Sequence, residues 1–356
     1  MRPTHIHINL TRLRHNTRLA RQCHGGSLLA VVKANAYGHG ASACARALVD
    51  LVEGFAVSNL DEGIELREAG ITQPILLLEG GFGPDELPLI RHRHLTPVIH
   101  TPWQAEQLLG GVCPDLDSVW LKMDSGMHRL GFSPESIAHW VRHFQHQHPV
   151  PIVVMSHFAH ADGRTPHALD PALNVFRKAI SGLSVSTSLA NSGALLGYPE
   201  AQGDWARPGL MLYGLDPSGS QHPPRAPLLP VMSLRSQVFT ERWISHGEFV
   251  GYGGLFCAQR PTRVGVIPCG YGDGYPRNAP QGTPVRIGQR IVPLIGRVSM
   301  DMLTVDLTDA PEVQPGSTVE LWGDNPNVGD LAQACGTIAY ELICQARRAP
   351  HHYQDE

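Results

Sequence analysis

Between residues 27 and 214 the chain alternates short unbroken aliphatic runs with longer stretches whose apolar positions recur every three or four residues. The runs are SLLAVVKA (27–34), GFAVSN (54–59), PILLLEG (74–80), TPVIH (96–100), SVWLKMD (118–124), PIVVMSHF (151–158), SVSTSLANS (184–192) and ARPGLMLYG (206–214). Unbroken apolar runs are what parallel strands covered on both faces require. The stretches between them carry helix punctuation. Asn59 can cap LDEGIELREAG, with Glu62 three residues on to complete a capping box and Gly70 at the far end. Ser133 followed by Pro134 opens a helix whose apolar stripe is Ile137, Trp140, Val141 and Phe144. Eight such strands alternating with helices predict an α/β fold, a (β/α)8 TIM barrel rather than a doubly wound sheet.

After Gly214 the texture changes. DPSGSQHPPRAPLLP (216–230) reads as a linker, and the runs that follow, among them VMSLRSQVF, TRVGVIPCG, TPVRIG and RIVPLIGRVSMDMLTVDL, are short and β-rich. The chain of 356 residues therefore divides into a barrel domain over residues 1–229 and a mainly β C-terminal domain over 230–356.

Composition narrows the function classes. With 42% hydrophobic and 17% charged residues the chain is globular, and a net charge of −4 without basic runs argues against nucleic acid or an anionic membrane surface as partner. The opening MRPTHIHINLTRLRHN has no apolar core of a signal peptide, and no run reaches the roughly 18 residues of a membrane span, so a cytoplasmic protein is expected. Seven scattered cysteines without a C-x-x-C pair read as reduced thiols. In HWVRHFQHQH (139–148), His139 and His143 fall on the solvated helix face without interleaved carboxylates, and no metal site is expected there.

Barrel active sites collect at the C-terminal strand ends. There the runs place Lys33, then Lys122, Asp124 and Arg129, then Ser156 and His157, then Asn191 and Ser192, with Arg207 at the start of the eighth run. A lysine dehydrated at a buried strand end can attack a carbonyl and form a Schiff base; the position serves equally a lysine that reaches solvent or pairs with a carboxylate. NSGA (191–194), RPGL (207–210) and the Tyr37 phenol offer donors to a phosphate, while a P-loop is absent and GYGDGY (270–275) lacks the flanks of a dinucleotide loop. Together these point to pyridoxal 5′-phosphate. His157, His160 and Asp162 in SHFAHAD raise a metal-dependent barrel hydrolase as a rival, against which a lysine stands where strand one would close a ligand set.

The motifs AVVKANAYGHG, LKMDSGMHRLGF, MSHFAHAD, SLANSGA, RPGLMLYGLDP, VGYGG, GYGDGYPR, IGRVSMDMLTVDL and GTIAYE, in this order over nearly the whole chain, resemble those of bacterial alanine racemases. The resemblance implies a homodimer with shared active sites, working on alanine by a two-base mechanism on a pyridoxal phosphate aldimine. It makes Lys33 the cofactor-bearing base and Tyr252, from the second subunit, the base on the opposite face. Two opposed bases let a proton leave one face and another arrive at the other. By the same resemblance His157 contacts that tyrosine and Arg207 faces the pyridine nitrogen, an arrangement that suits racemisation over transamination. Arg129 contacts the phenolic oxygen and the substrate carboxylate, and Lys122 matches a lysine carbamylated in several members. Tyr37, Ser192, Gly209, Leu210 and Tyr340 hold the phosphate, while Tyr271, Met300 and Asp301 line the substrate entrance. The product implied is D-alanine for peptidoglycan, or its interconversion for catabolism. Asn35 and His128 depart from residues common in the family without touching this chemistry. A decarboxylase of the same fold type fits poorly, since Arg207 stands where that chemistry commonly uses a carboxylate; a cofactor carrier without turnover would lack the β domain.

Overall fold

The structure, a computed structural model, describes residues 2–111, 117–147, 150–161, 167–217 and 227–355. Most of the expected linker lies outside these residues, as do Cys113, His148 and Asp162. The chain forms two compact units, one of Leu13–Ala36 and Ala41–Leu228, the other of Met1–Arg12, Tyr37–Gly40 and Leu229–Glu356. Residues 1–12 and 37–40, which the 229/230 division drawn from composition places with the barrel, cluster with the second unit. The first twelve contain a strand the hydrophobic pattern did not yield, β1 (His5–Asn9), whose alternating burial is that of a strand covered on one face.

The first unit is a closed barrel of eight parallel strands: β2 (Ser27–Val31), β3 (Gly54–Val57), β4 (Ile75–Leu77), β5 (Thr96–Ile99), β6 (Val119–Lys122), β7 (Ile152–Met155), β8 (Ser186–Ser188) and β9 (Trp205–Ala206). Closure runs through Ser27 opposite Trp205 and Leu28 opposite Ala206. β3, β4, β6 and β7 are buried along their whole length, as the unbroken apolar runs require. Two elements differ from expectation. The eighth strand ends at Ala206, and LMLY, read as its continuation, is a single 3-10 turn over Leu210–Tyr213; a short buried apolar run does not distinguish the two. The helix expected from Ser133 begins one turn later, at Ile137, after Ile137 N–H has bonded back to the Ser133 carbonyl. Ile137, Val141 and Phe144 are buried as its stripe predicts, and His139 and His143 are exposed.

In the second unit β1 joins β10 (Met232–Gln237), β11 (Thr240–Ile244), β12 (Phe249–Val250), β13 (Phe256–Cys257), β14 (Thr262–Ile267), β15 (Pro284–Ile287), β16 (Arg290–Ile295), β17 (Leu303–Asp306), β18 (Thr318–Trp322) and β19 (His351–Gln354). Nine of these form one sheet in the order β11-β14-β17-β16-β15-β18-β10-β1-β19, antiparallel except for the β1–β19 pair. β12 and β13 form a separate hairpin whose buried Val250 packs on Val264 and Ile295. No helix among the described residues is long and apolar enough to cross a membrane.

Candidate active site

The barrel strands deliver a cluster of bases to one mouth. Lys33 follows β2, Lys122 ends β6, His157 comes two residues after β7, and Arg207 follows β9 directly. Arg207 is buried and held as a fork. Nη1 donates to the Ser188 carbonyl at 2.8 Å and its hydroxyl at 2.5 Å, and Nη2 to the Ser156 carbonyl at 2.6 Å. Burial lowers its guanidinium to about 10. Lys122 is pulled down to about 8 by burial and by the charges of Arg207, Arg129 and Lys33, against a smaller opposing pull from Glu79. His157 falls to about 3 by burial and the same cations with Lys122, so its imidazole is neutral at physiological pH.

Arg129 is exposed on the loop after β6, and that loop is shut. Asp124 N–H donates to the Phe132 carbonyl and Phe132 N–H to the Lys122 carbonyl, while the Asp124 carboxylate accepts the amides of Gly126, Met127 and His128 at 2.9, 3.0 and 3.1 Å. Lys122, Arg129, Ser156 and His157 line one small cavity.

Across the mouth, Ser192 Oγ accepts the amides of Gly209 at 3.0 Å and Met211 at 3.2 Å, which leaves its own hydrogen free to donate. Gly193 passes so near Ala161 that an added Cβ would lie 1.9 Å from the Ala161 carbonyl oxygen. Leu210 opens the 3-10 turn that follows Gly209.

Directly after Lys33 the backbone does something costly. Ala34, Asn35, Ala36 and Tyr37 all have φ between 52° and 55°, a left-handed turn that costs about 1–2 kcal/mol per residue away from glycine. Several contacts hold it. Ala36 N–H donates to the Val32 carbonyl at 2.8 Å, Ala41 N–H to Asn35 Oδ1 at 2.8 Å, and Ala34 N–H to Glu62 Oε1 at 2.7 Å. Tyr213 Oη anchors the end of β2 on the Val31 carbonyl at 2.9 Å.

The remaining expected residues lie in the second unit. The Tyr37 and Tyr340 rings stand 5.9 Å apart, and burial pushes the Tyr340 phenol up to about 12. Tyr252 sits at the tip of the β12–β13 hairpin and is 71% exposed. Tyr271 and Met300 are also exposed, and their segments are zipped by Tyr271 N–H to the Ser299 carbonyl and Gly272 N–H to the Met300 carbonyl. Asp301 Oδ1 accepts Arg348 at 2.6 Å and its carbonyl accepts Arg2 at 2.8 Å. Ser156 was singled out as a strand end but not for its carbonyl, and Ser188 and Met211, which help hold Arg207 and Ser192, were not singled out, because backbone groups carry no residue signature.

Residues 8–217 match the profile of the alanine racemase N-terminal domain, and residues 231–353 that of the alanine racemase C-terminal domain. The chain belongs to the alanine racemase family. An alanine racemase from Xanthomonas campestris is 51% identical over 99% of this chain and 98% of its own length, and one from Pseudomonas syringae is 48% identical over the whole of both. Among solved structures, the biosynthetic alanine racemase of Pseudomonas aeruginosa superposes with a TM-score of 0.93 at 45% identity, covering both chains fully. The alanine racemase of Bartonella henselae, crystallised with covalently bound pyridoxal phosphate, matches with a TM-score of 0.91 at 26% identity over 99% of this chain and all of its own.

Alanine racemases are isomerases that depend on pyridoxal phosphate. The barrel mouth fits that cofactor. Lys33, Lys122, Arg129 and Arg207 concentrate positive charge that a phosphate dianion and a carboxylate would compensate, and the Ser192 hydroxyl supplies a donor of the right kind. Among the described residues no group of three His, Cys, Asp or Glu side chains could hold a metal, and His160 of the rival set is exposed.

Proposed function

We propose that this family member interconverts L- and D-alanine with Lys33 and Tyr252 as its two bases. The observation that carries the reading is the full-length family match combined with a lysine just past the first barrel strand, near the cations Lys122, Arg129 and Arg207. Bound pyridoxal phosphate supplies the electron sink that makes the substrate Cα–H acidic.

The chain's own residues do the rest. Lys33 takes or returns a proton on one face of Cα, and Tyr252 does so on the other. A phenol is mostly protonated near neutrality; the neutral imidazole of His157 can accept its hydrogen bond, and the cations around His157 favour the phenolate that acts as base. Arg129 orients the substrate carboxylate. Arg207, a permanent donor fixed by Ser156 and Ser188, keeps the pyridine nitrogen unprotonated and so favours return of the proton to Cα. Tyr37, Ser192, Gly209, Leu210 and Tyr340 hold the phosphate. Tyr271, Met300 and Asp301 form the substrate entrance. Lys122, with an amine partly neutral near pH 8, has the free base that carbamylation requires, and the modified side chain would brace Arg129.

The 71% exposure of Tyr252, with exposed Phe249, Leu255, Met300 and Met302, supports a homodimer in which each subunit lends this surface to its partner's site. The protein works in the cytoplasm, supplying D-alanine for peptidoglycan or interconverting it for catabolism. Chiral chromatography of reactions begun with L-alanine, L-serine and L-ornithine tests the reading. Rapid D-alanine formation with slow change in the others is expected, and racemised serine beside unchanged alanine would overturn the substrate.

A further inference from the structure

Glu62 occupies the third helical position of Leu60–Glu68 behind the cap Asn59, where a capping box would send its carboxylate back to the Asn59 amide. Only half of that box forms. Asn59 Oδ1 accepts Glu62 N–H at 3.1 Å, but the Glu62 carboxylate turns to the barrel. Oε2 accepts Ser58 N–H at 2.7 Å, and Oε1 accepts Ala34 N–H at 2.7 Å. One carboxylate therefore ties the residue after Lys33 to the residue after β3.

We propose that Glu62 is a positioning residue for Lys33, fixing the Lys33–Ala34 peptide and with it the direction in which the amine is presented. On the other side of Lys33, Val32 N–H is fixed on the Ala56 carbonyl at 2.9 Å, so the lysine sits between two anchored amides. The anchor on the Ala34 side is the one made by a side chain. It also restrains the left-handed turn, a conformation that persists only where surrounding contacts over-determine it. A charged acceptor suits the task, because a carboxylate can take both amides at once, whereas an amide side chain can accept at only one oxygen.

The inference rests on the reading of Lys33 as the cofactor-bearing base, and its test separates the two. Glu62→Gln and Glu62→Ala are compared with the wild-type holoenzyme and with Glu65→Gln, which alters an exposed carboxylate on the same helix bonded to Ser42 Oγ. Hydrogen–deuterium exchange of the Ala34 amide, kcat, KM and the melting temperature are measured. In Glu62→Ala, Ala34 exchange rises about tenfold or more, and kcat falls on the order of 10–100-fold while KM for alanine changes little. Glu62→Gln lies between, with a melting temperature near wild type, and Glu65→Gln behaves as wild type. If both Glu62 variants keep wild-type exchange and kcat, or lose kcat without faster Ala34 exchange, the positioning role is wrong. Should Glu62→Ala not fold, the near-isosteric Glu62→Gln decides alone. Borohydride reduction and peptide mapping of the wild type identify the cofactor-bearing residue: attachment elsewhere than Lys33 defeats the function reading, whereas the exchange result bears on the turn.

Discussion

Arg207 donates from Nη2 to the Ser156 carbonyl at 2.6 Å, tying the residue after the last barrel strand to the residue after the sixth. This bond and its two companions on Ser188 make the guanidinium part of the barrel's own hydrogen-bond ladder. Arg207→Lys keeps the charge but not the fork, and takes the donor from the Ser156 carbonyl, while the Ser188 carbonyl keeps Ser156 N–H at 3.2 Å. Stability falls by about 1–3 kcal/mol for each carbonyl left without a donor, as read by denaturant unfolding, and racemase activity falls with it.

Tyr252 presents the opposite case. Its side chain is 71% exposed, so Tyr252→Phe removes little that the fold uses. The stability of the variant stays within about 0.5 kcal/mol of wild type. On the proposed two-base mechanism its kcat drops by about 10²–10⁴-fold in both directions, and cofactor absorbance is retained.

His157 predicts a pH dependence. Burial and the surrounding cations lower its pKa from 6.5 to about 3. Between those values the unfolded chain binds a proton that the folded chain refuses, so stability falls as pH drops through this window, by up to about 1.4 kcal/mol per unit. Urea unfolding at several pH values between 7 and 4 should show a shallower acid-side loss in His157→Gln than in wild type.

Gly38 is the point where the left-handed turn can continue only without a side chain. Its φ is 82°, and an added Cβ would lie 2.1 Å from the Ile343 carbonyl oxygen. Gly38→Ala is expected to cost about 1–3 kcal/mol through strain alone, and more through the clash. It also shifts Tyr37 beside Tyr340, and on the proposed phosphate-binding role of these two rings a higher Kd for pyridoxal phosphate is expected.

The barrel was legible because a parallel strand buried on both faces writes an unbroken apolar run, and all eight runs contain or touch a strand. The strand-end rule then placed Lys33, Lys122, His157 and Arg207 at one mouth. What failed has physical causes. HIHIN is a one-sided strand whose partners, β10 and β19, lie more than two hundred residues away, so no local pattern announces its pairing. LMLY was buried enough to pass for strand. Glu62 carried the right motif for a cap, yet a longer-range partner, Ala34 N–H, took one of its oxygens. Tyr252, Tyr271 and Met300 came from motif resemblance, since exposed loop residues leave no periodic trace.

The N-terminal strand has a consequence for how the molecule is made. β1 pairs through Ile8 with Met232, and on its other edge with β19 near the end of the chain. At about 5–20 residues per second, roughly 10–45 s of translation separate the two sides of the first pairing. The barrel can assemble on the ribosome during that interval while His5–Asn9 waits as an unpaired edge. Deleting His5–Asn9 would therefore remove the strand between β10 and β19 and injure the sheet of the second unit.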